Sequence, residues 1–178
     1  MPLIQKISPV GIDRIIDSIQ VVLFNKLGWD SLPNVTYESN HRAYKTPGEI
    51  NGTTGLIPEV FDGIKEYKEV YFNDNVDASS FFLVDDTRTG DKLYTINVSI
   101  IFQLKLDKIF PNILHRSDEE AHKQVLDVLE RTTLVKINSL QTGIANVYSG
   151  LLVDQSKLDD MQPFHVFKVD MDIDYENC

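Results

Sequence analysis

Residues 94–106 read YTINVSIIFQLKL: Tyr94, Ile96, Val98, Ile100, Phe102, Leu104 and Leu106 fall on one side of an extended chain, and Thr95, Asn97, Ser99, Gln103 and Lys105 on the other. Successive strand side chains point to opposite faces, so this alternation predicts a single strand with an apolar and a polar face, Ile101 alone breaking the rule. At about 3.3 Å per residue the strand spans about 40 Å, against about five or six residues for a typical strand. A helix or a second sheet must cover its apolar side, and its length exceeds what most small domains need.

Working outward, DTRTGDK at 86–92 places Gly90 where a bend is required, so the strand should pair back on Phe81 to Val84 as an antiparallel hairpin. Tyr67 to Asn73 predicts a further strand. Near the end, Phe167, Val169, Met171, Ile173 and Tyr175 alternate with Lys168, Asp170, Asp172 and Asp174, a closing strand of the same two-faced kind. Two helices are expected to cover the apolar faces. One begins at Ser8-Pro9, with Ile12, Ile15, Ile16, Ile19, Val22 and Leu23 on one side, Asp13, Asp17, Gln20 and Lys26 mostly off it, and Gly28 as its terminal cap. The other begins at the capping-box sequence Ser117-Asp-Glu-Glu120, buries Ala121, Val125, Val128, Leu129 and Thr132, and has a possible extension toward Leu140. Between Leu32 and Gly63 the chain is rich in Pro, Gly, Asn and Thr, with turn signals at Thr46-Pro-Gly, Asn51-Gly and Asp62-Gly. That stretch reads as a long loop or arm over about residues 40–63, with a short strand near Val35 to Glu38. Leu151 to Gln162 fits neither period. The fold class is α+β: an antiparallel β-sheet with a long central strand and hairpin, packed by two α-helices, in one domain over residues 1–178.

Composition narrows function. The 178 residues carry 27 acidic against 17 basic side chains, a formal charge of −10, which opposes a broad grip on nucleic acid but suits a wall past which a polyanion slides. The single cysteine, Cys178, permits neither an intrachain disulfide nor a cysteine metal site. Met1 to Gly11 has no secretory-signal pattern and no stretch is apolar enough for a membrane span, so a cytosolic protein without membrane contact is expected and the sequons at Asn34, Asn51 and Asn97 carry little weight.

The chemistry-bearing residues point the same way. Glu119 and His122 have the Glu-x-x-His spacing of carboxylate-bridged metal bundles, but no second such step accompanies them among His41, His115 and His165. Asp170, Asp172 and Asp174 alternate on a strand nearly 7 Å apart, too far to converge on one ion, so an acidic solvent or subunit face with a basic partner opposite is the expectation. Gly52-Thr-Thr-Gly55 lacks the Lys and Ser or Thr of a phosphate loop, and the Asp85-Asp86 and Asp159-Asp160 pairs read as solvated. No catalytic residue, cofactor or metal is assigned, and the chain is expected not to be an enzyme.

The order of elements, from the helix after Val10 through a loop-rich stretch, a hairpin, the long strand leading by Phe110-Pro-Asn into the helix after Ser117, to the strand from Phe164 to Tyr175, resembles the tail-terminator and tail-completion proteins of tailed bacteriophages. The resemblance spans about Val10 to Cys178 and is one of architecture; the chain is longer than compact members, chiefly through the 40–63 stretch. It implies a virion protein made in the host cytoplasm, a subunit of a neck or tail ring of six or twelve copies. The ring would join portal or adaptor to tail proteins and line a channel that DNA crosses without being specifically bound. The long strand would then join subunits head to tail, the 40–63 arm would reach an adjacent ring, and the candidate interface comprises Arg42, Lys45, Arg88, Lys92, Thr95, Asn97, Ser99, Gln103, Asp170, Asp172 and Asp174. The alternative expectation is a small-ligand-binding or enzymatic α+β domain in which the 40–63 loop is a lid over Trp29.

Overall fold

The computed structural model describes residues 3–64, 66–70, 75–91, 93–115, 117–133, 135–153 and 164–176. In chain order the elements are α1 (Ile12–Leu27), a short 3-10 turn (Trp29–Ser31), β1 (Tyr37–Ile50), β2 (Thr53–Phe61), β3 (Tyr67–Glu69), β4 (Ala78–Thr89), β5 (Leu93–Lys105), α2 (Leu106–Ile109), α3 (Asp118–Leu129), β6 (Val135–Thr142), α4 (Ile144–Val147) and β7 (Phe164–Glu176). The strands form one seven-stranded sheet in the order β3-β2-β1-β4-β5-β7-β6. All neighbours are antiparallel except β1 and β4. The fold is thus α+β with a mostly antiparallel sheet, and its one parallel pair departs from expectation.

The long strand is β5, and it lies at the heart of the sheet. Phe81 pairs with Ile101 and Val84 with Val98, as the hairpin signal requires. On the other side β7 runs beside it from Leu93↔Glu176 to Lys105↔Phe164. Both edges of β5 are therefore taken within the chain, and its length is used up by β7 rather than left for a neighbouring subunit's backbone.

The apolar faces of β5 and β7 behave as their alternation dictates. Val98, Ile100, Phe102, Leu104, Phe167, Val169, Met171 and Ile173 are fully buried, in one cluster with Ile12, Ile16, Ile19 and Leu23 of α1 and Ala121, Val125 and Leu129 of α3. Each such side chain contributes about 1.5–3 kcal/mol by leaving water. Phe102 stacks on Phe167 at 4.9 Å and meets the edge of Trp29 at 6.1 Å. Trp29 is thus a core residue, its Nε1 donating to Gln124 Oε1 at 3.1 Å, and it does not lie under a lid.

The helix boundaries need correction. Ser8 has φ 54°, and α1 starts after Gly11; a left-handed Ser8 cannot serve as its N-cap. Gly28 ends it as expected, with φ 60° and its N–H on Phe24 O at 3.2 Å. Ser117 does precede α3, but makes no side-chain cap bond, and Glu120 turns along the helix to accept from Gln124 instead of closing the box. The helix stops at Leu129 and does not run on to Leu140, which belongs to strand β6.

Residues 40–63 are not a loop. β1 and β2 form a hairpin whose turn is Asn51-Gly52, both at positive φ (50° and 80°), closed by the pair Ile50↔Thr53. β1 changes partner along its length. Tyr37 to Ala43 lies beside β4, whereas Tyr44 to Ile50 pairs with β2 alone, so the outer half leaves the main sheet as a two-stranded arm. Gly55 passes against Leu152, whose N–H donates to Leu56 O at 2.7 Å. Beneath the hairpin's base a second core joins Ala43, Val60 and Val70 to Phe81, Ile101 and Val166 of the sheet and to Val147 and Tyr148. Ile101, the one exception in the alternation, is buried there at 0% exposure. The outer part of the predicted strand Tyr67 to Asn73, and Asp159-Asp160, lie outside the described residues.

Candidate functional site

The second core covers only one end of the sheet's face away from α1 and α3. Toward the other end of that face the strands carry polar side chains in register: Thr95 beside Asp174, Asn97 beside Asp172 and Ser99 beside Asp170. Each carboxylate accepts from its cross-strand neighbour. Thr95 Oγ1 donates to Asp174 at 2.5 Å, Asn97 Nδ2 to Asp172 at 3.2 Å, and Ser99 Oγ to Asp170 at 2.6 Å. Asp170 is the best held, since Ser139 Oγ (3.0 Å) and Gln141 Nε2 (2.7 Å) donate to its second oxygen and Lys168 Nζ stands 3.5 Å from the first. The neighbour opposite the acidic row is thus a strand of hydroxyl and amide donors, with a base supplied from β6, where Lys136 pairs in register with Asp172.

This strip borders a groove of about 490 Å³ between the sheet, the β1–β2 arm and the segment after α4, lined by Lys45, Asp85, Asn97, Ser99, Asp170 and their neighbours. The structure therefore brings Lys45, Asn97, Ser99 and Asp170 to one place, and sets Thr95, Asp172 and Asp174 along the same strip. Gln103 is different. It is 2% exposed, accepts from Ser79 Oγ at 2.9 Å, and donates to Tyr148 Oη at 2.6 Å and Val70 O at 3.2 Å. A buried amide so engaged is an internal joint, not an interface residue. Arg88 lies on the helix-side end of the sheet, with its guanidinium 6.0 Å from the Tyr175 ring. Lys92 is outside the described residues.

Arg42 belongs to another cluster. Asp13, 6% exposed, pairs with Lys6 Nζ and lies 3.6 Å from Arg42 Nη1. His41 Nε2 donates to the Asp13 carbonyl at 3.2 Å, and burial pushes the imidazole pKa down against the pull of Asp13 and Asp17. Partial burial acts against the charge on Lys6, but hydrogen bonds to Asp13 and Tyr44 outweigh it and raise its pKa. A cleft of about 200 Å³ opens over these residues, walled by Tyr44, Phe61 and Tyr67. Asp13 as an off-face helix residue gives no sign of this cluster, because only the approach of β1 to α1 brings His41 and Arg42 to it.

Glu119 Oε1 is 3.8 Å from His122 Nδ1, while His122 Nε2 and His165 Nε2 are 2.9 Å apart and both buried. Among the described residues, no three His, Cys, Asp or Glu side chains gather as metal ligands. No described helix is long and apolar enough to cross a membrane. No family model matches the chain, and no curated protein or solved structure matches it.

Proposed function

We propose that this chain is a structural subunit of a homo-oligomeric ring at the neck or tail of a tailed bacteriophage, of the tail-terminator or tail-completion kind. The reading is carried by the uncovered polar half of the sheet, where Asp170, Asp172 and Asp174 are pinned by Ser99, Asn97 and Thr95. Carboxylates at the outer end of this face, in a chain of formal charge −10, repel a polyanion more than the lysines beside them attract it, which suits the lining of a channel that DNA crosses without being held. Portal or adaptor proteins on one side and tail proteins on the other are the partners of such a ring.

Lateral contact between subunits is assigned away from β5, whose two edges are occupied, to elements that end or leave the sheet. β6 is the last strand of the sheet, and an eight-residue edge is a ready template for a neighbour. The β1–β2 arm is the second, different surface that a head-to-tail ring requires. Paired along Tyr44 to Glu59, the arm is a built strut rather than a lid, which removes the support for a lidded ligand domain. Mass measurement of the purified chain, alone and mixed with portal or tail proteins, tests the proposal. A ring-sized species in either sample is expected, and a strict monomer that enters no larger assembly overturns it.

A further inference from the structure

The cleft beside α1 combines two cations and three aromatic rings in a space the size of a single side chain. Arg42 lies with its guanidinium carbon 5.0 Å from the Tyr44 ring centre, Lys6 Nζ is 5.9 Å from the same ring, and Tyr67 meets Tyr44 edge to face at 5.7 Å. Phe61 backs Tyr67 at 5.9 Å. Among the described residues Asp13 pairs with both Lys6 and Arg42, and the charge of Asp17 also reaches His41 in the cleft wall. Arg42 Nε and Asp13 Oδ1, the latter 3.6 Å from Arg42 Nη1, are both buried without a hydrogen-bond partner, so the Arg42–Asp13 pair is loosely made. Tyr67, 52% exposed at the rim, leaves apolar ring surface facing solvent beside these cations. Asp13 holds Lys6 and Arg42 beside the Tyr44 ring in the cleft wall, an arrangement suited to charge-assisted bonds from a second carboxylate.

We propose that this cleft is a binding site for a carboxylate carried next to an aromatic group, with Lys6 and Arg42 taking the acid and Tyr44, Phe61 and Tyr67 enclosing the ring. At about 200 Å³ the space admits one ring and its acid but not a nucleotide or larger cofactor. The overall charge of −10 does not forbid this, because distant charges are screened beyond about 8 Å at physiological salt, whereas the two cations are in contact. The acid has two sources, a free aromatic acid or the C-terminal residue of a peptide. The site is independent of the ring reading.

The test titrates the full chain with N-acetyl-phenylalanine, its neutral amide, benzoate and acetate, following backbone amide shifts of His41 to Tyr44 by NMR. N-acetyl-phenylalanine or benzoate should bind at this cleft, with the amide and acetate each at least about tenfold weaker. Tighter binding of N-acetyl-phenylalanine assigns the peptide source, and tighter binding of benzoate the free acid. Lys6→Gln, which leaves the Arg42 to Asp13 pair, should weaken binding about fivefold in a chain whose amide spectrum stays folded, with a lower thermal midpoint because buried Asp13 loses one cation, and Arg42→Lys should weaken binding further because the fork is lost. Equal binding of acid and amide, acetate as strong as the aromatic acids, no shift at about 10 mM acid, or indifference to Lys6→Gln each overturns the proposal.

Discussion

The two faces of the central sheet are made by the same strands and have opposite fates. Toward α1 and α3, every second residue of β5 from Val98 to Leu104 and of β7 from Phe167 to Ile173 is sealed in one core. Toward the other side, the same strands bury Ile101, Gln103 and Val166 at one end and present Ser99, Asn97, Thr95 and three aspartates at the other. The helix-side face accounts for the fold. The uncovered half is costly to organise and adds little to a lone domain, since partly exposed polar pairs contribute only fractions of a kcal/mol each. That contrast assigns stability to one face and leaves the other for the channel lining proposed above.

The comparison breaks first at Phe102. It is fully buried between Phe167 and Trp29, so Phe102→Ala should cost about 3–5 kcal/mol in urea unfolding. A loss below about 1 kcal/mol would mean that the helix-side face is not the main core. Gln103→Ala comes next, because it removes the buried amide that bonds the Tyr148 hydroxyl and the Val70 carbonyl in the smaller core: about 1–3 kcal/mol is expected, with unchanged binding to any ring partner. Altered assembly without loss of stability would return Gln103 to the interface.

What was legible in the chain follows from how each element is held. β5, β7, α1 and α3 bury one whole side against a partner, so their periods are written plainly in the apolar residues. β1 and β2 are held by each other and by backbone bonds over much of their length, so Lys45, Pro47, Gly48 and Gly55 are tolerated there and the alternation fades. The Asn51-Gly52 turn is the remaining signal of a hairpin, and by itself it marks only a turn. β6 was hidden by a register shift between Ile137 and Ser139, which puts Ile137 and Leu140 on one face across an odd number of bonds. Gln20 and Gln103 are polar residues in buried places, and their partners, Ile4 O and Ser39 O for one and Tyr148 Oη for the other, come from remote sequence. The polar strip itself was visible as alternation, whereas Ser139, Gln141 and Lys168 around Asp170 required the pairing of β6 with β7.

Within the strip, Asp170 and Asp174 sharpen the comparison. Asp170→Ala releases Ser99, Ser139 and Gln141 together and leaves Lys168 without its carboxylate, and should cost about 1–2 kcal/mol. Asp174→Asn disturbs one exposed bond to Thr95 and should stay within about 0.5 kcal/mol. If both are silent in the isolated chain but both change passage of DNA or ring assembly, the uncovered half serves function alone. If Asp174→Asn destabilises as much as Asp170→Ala, the strip is structural throughout.

The last effect is one of pH, and it arises on the helix side. His41 is buried against α1 with its pKa below the ordinary histidine value of 6.5, because burial outweighs the backbone bond to Asp13 and the charges of Asp13 and Asp17, while Lys6 pushes the same way as burial. The folded protein then binds fewer protons at this site than the unfolded chain. Its contribution is fully present above the unfolded value and is lost as pH falls from there through the folded one. Urea midpoints should therefore decline as pH falls below about 6.5, and His41→Gln should flatten that part of the decline. An unaltered slope would place the acid sensitivity in another group and leave the His41 bond to Asp13 as packing alone.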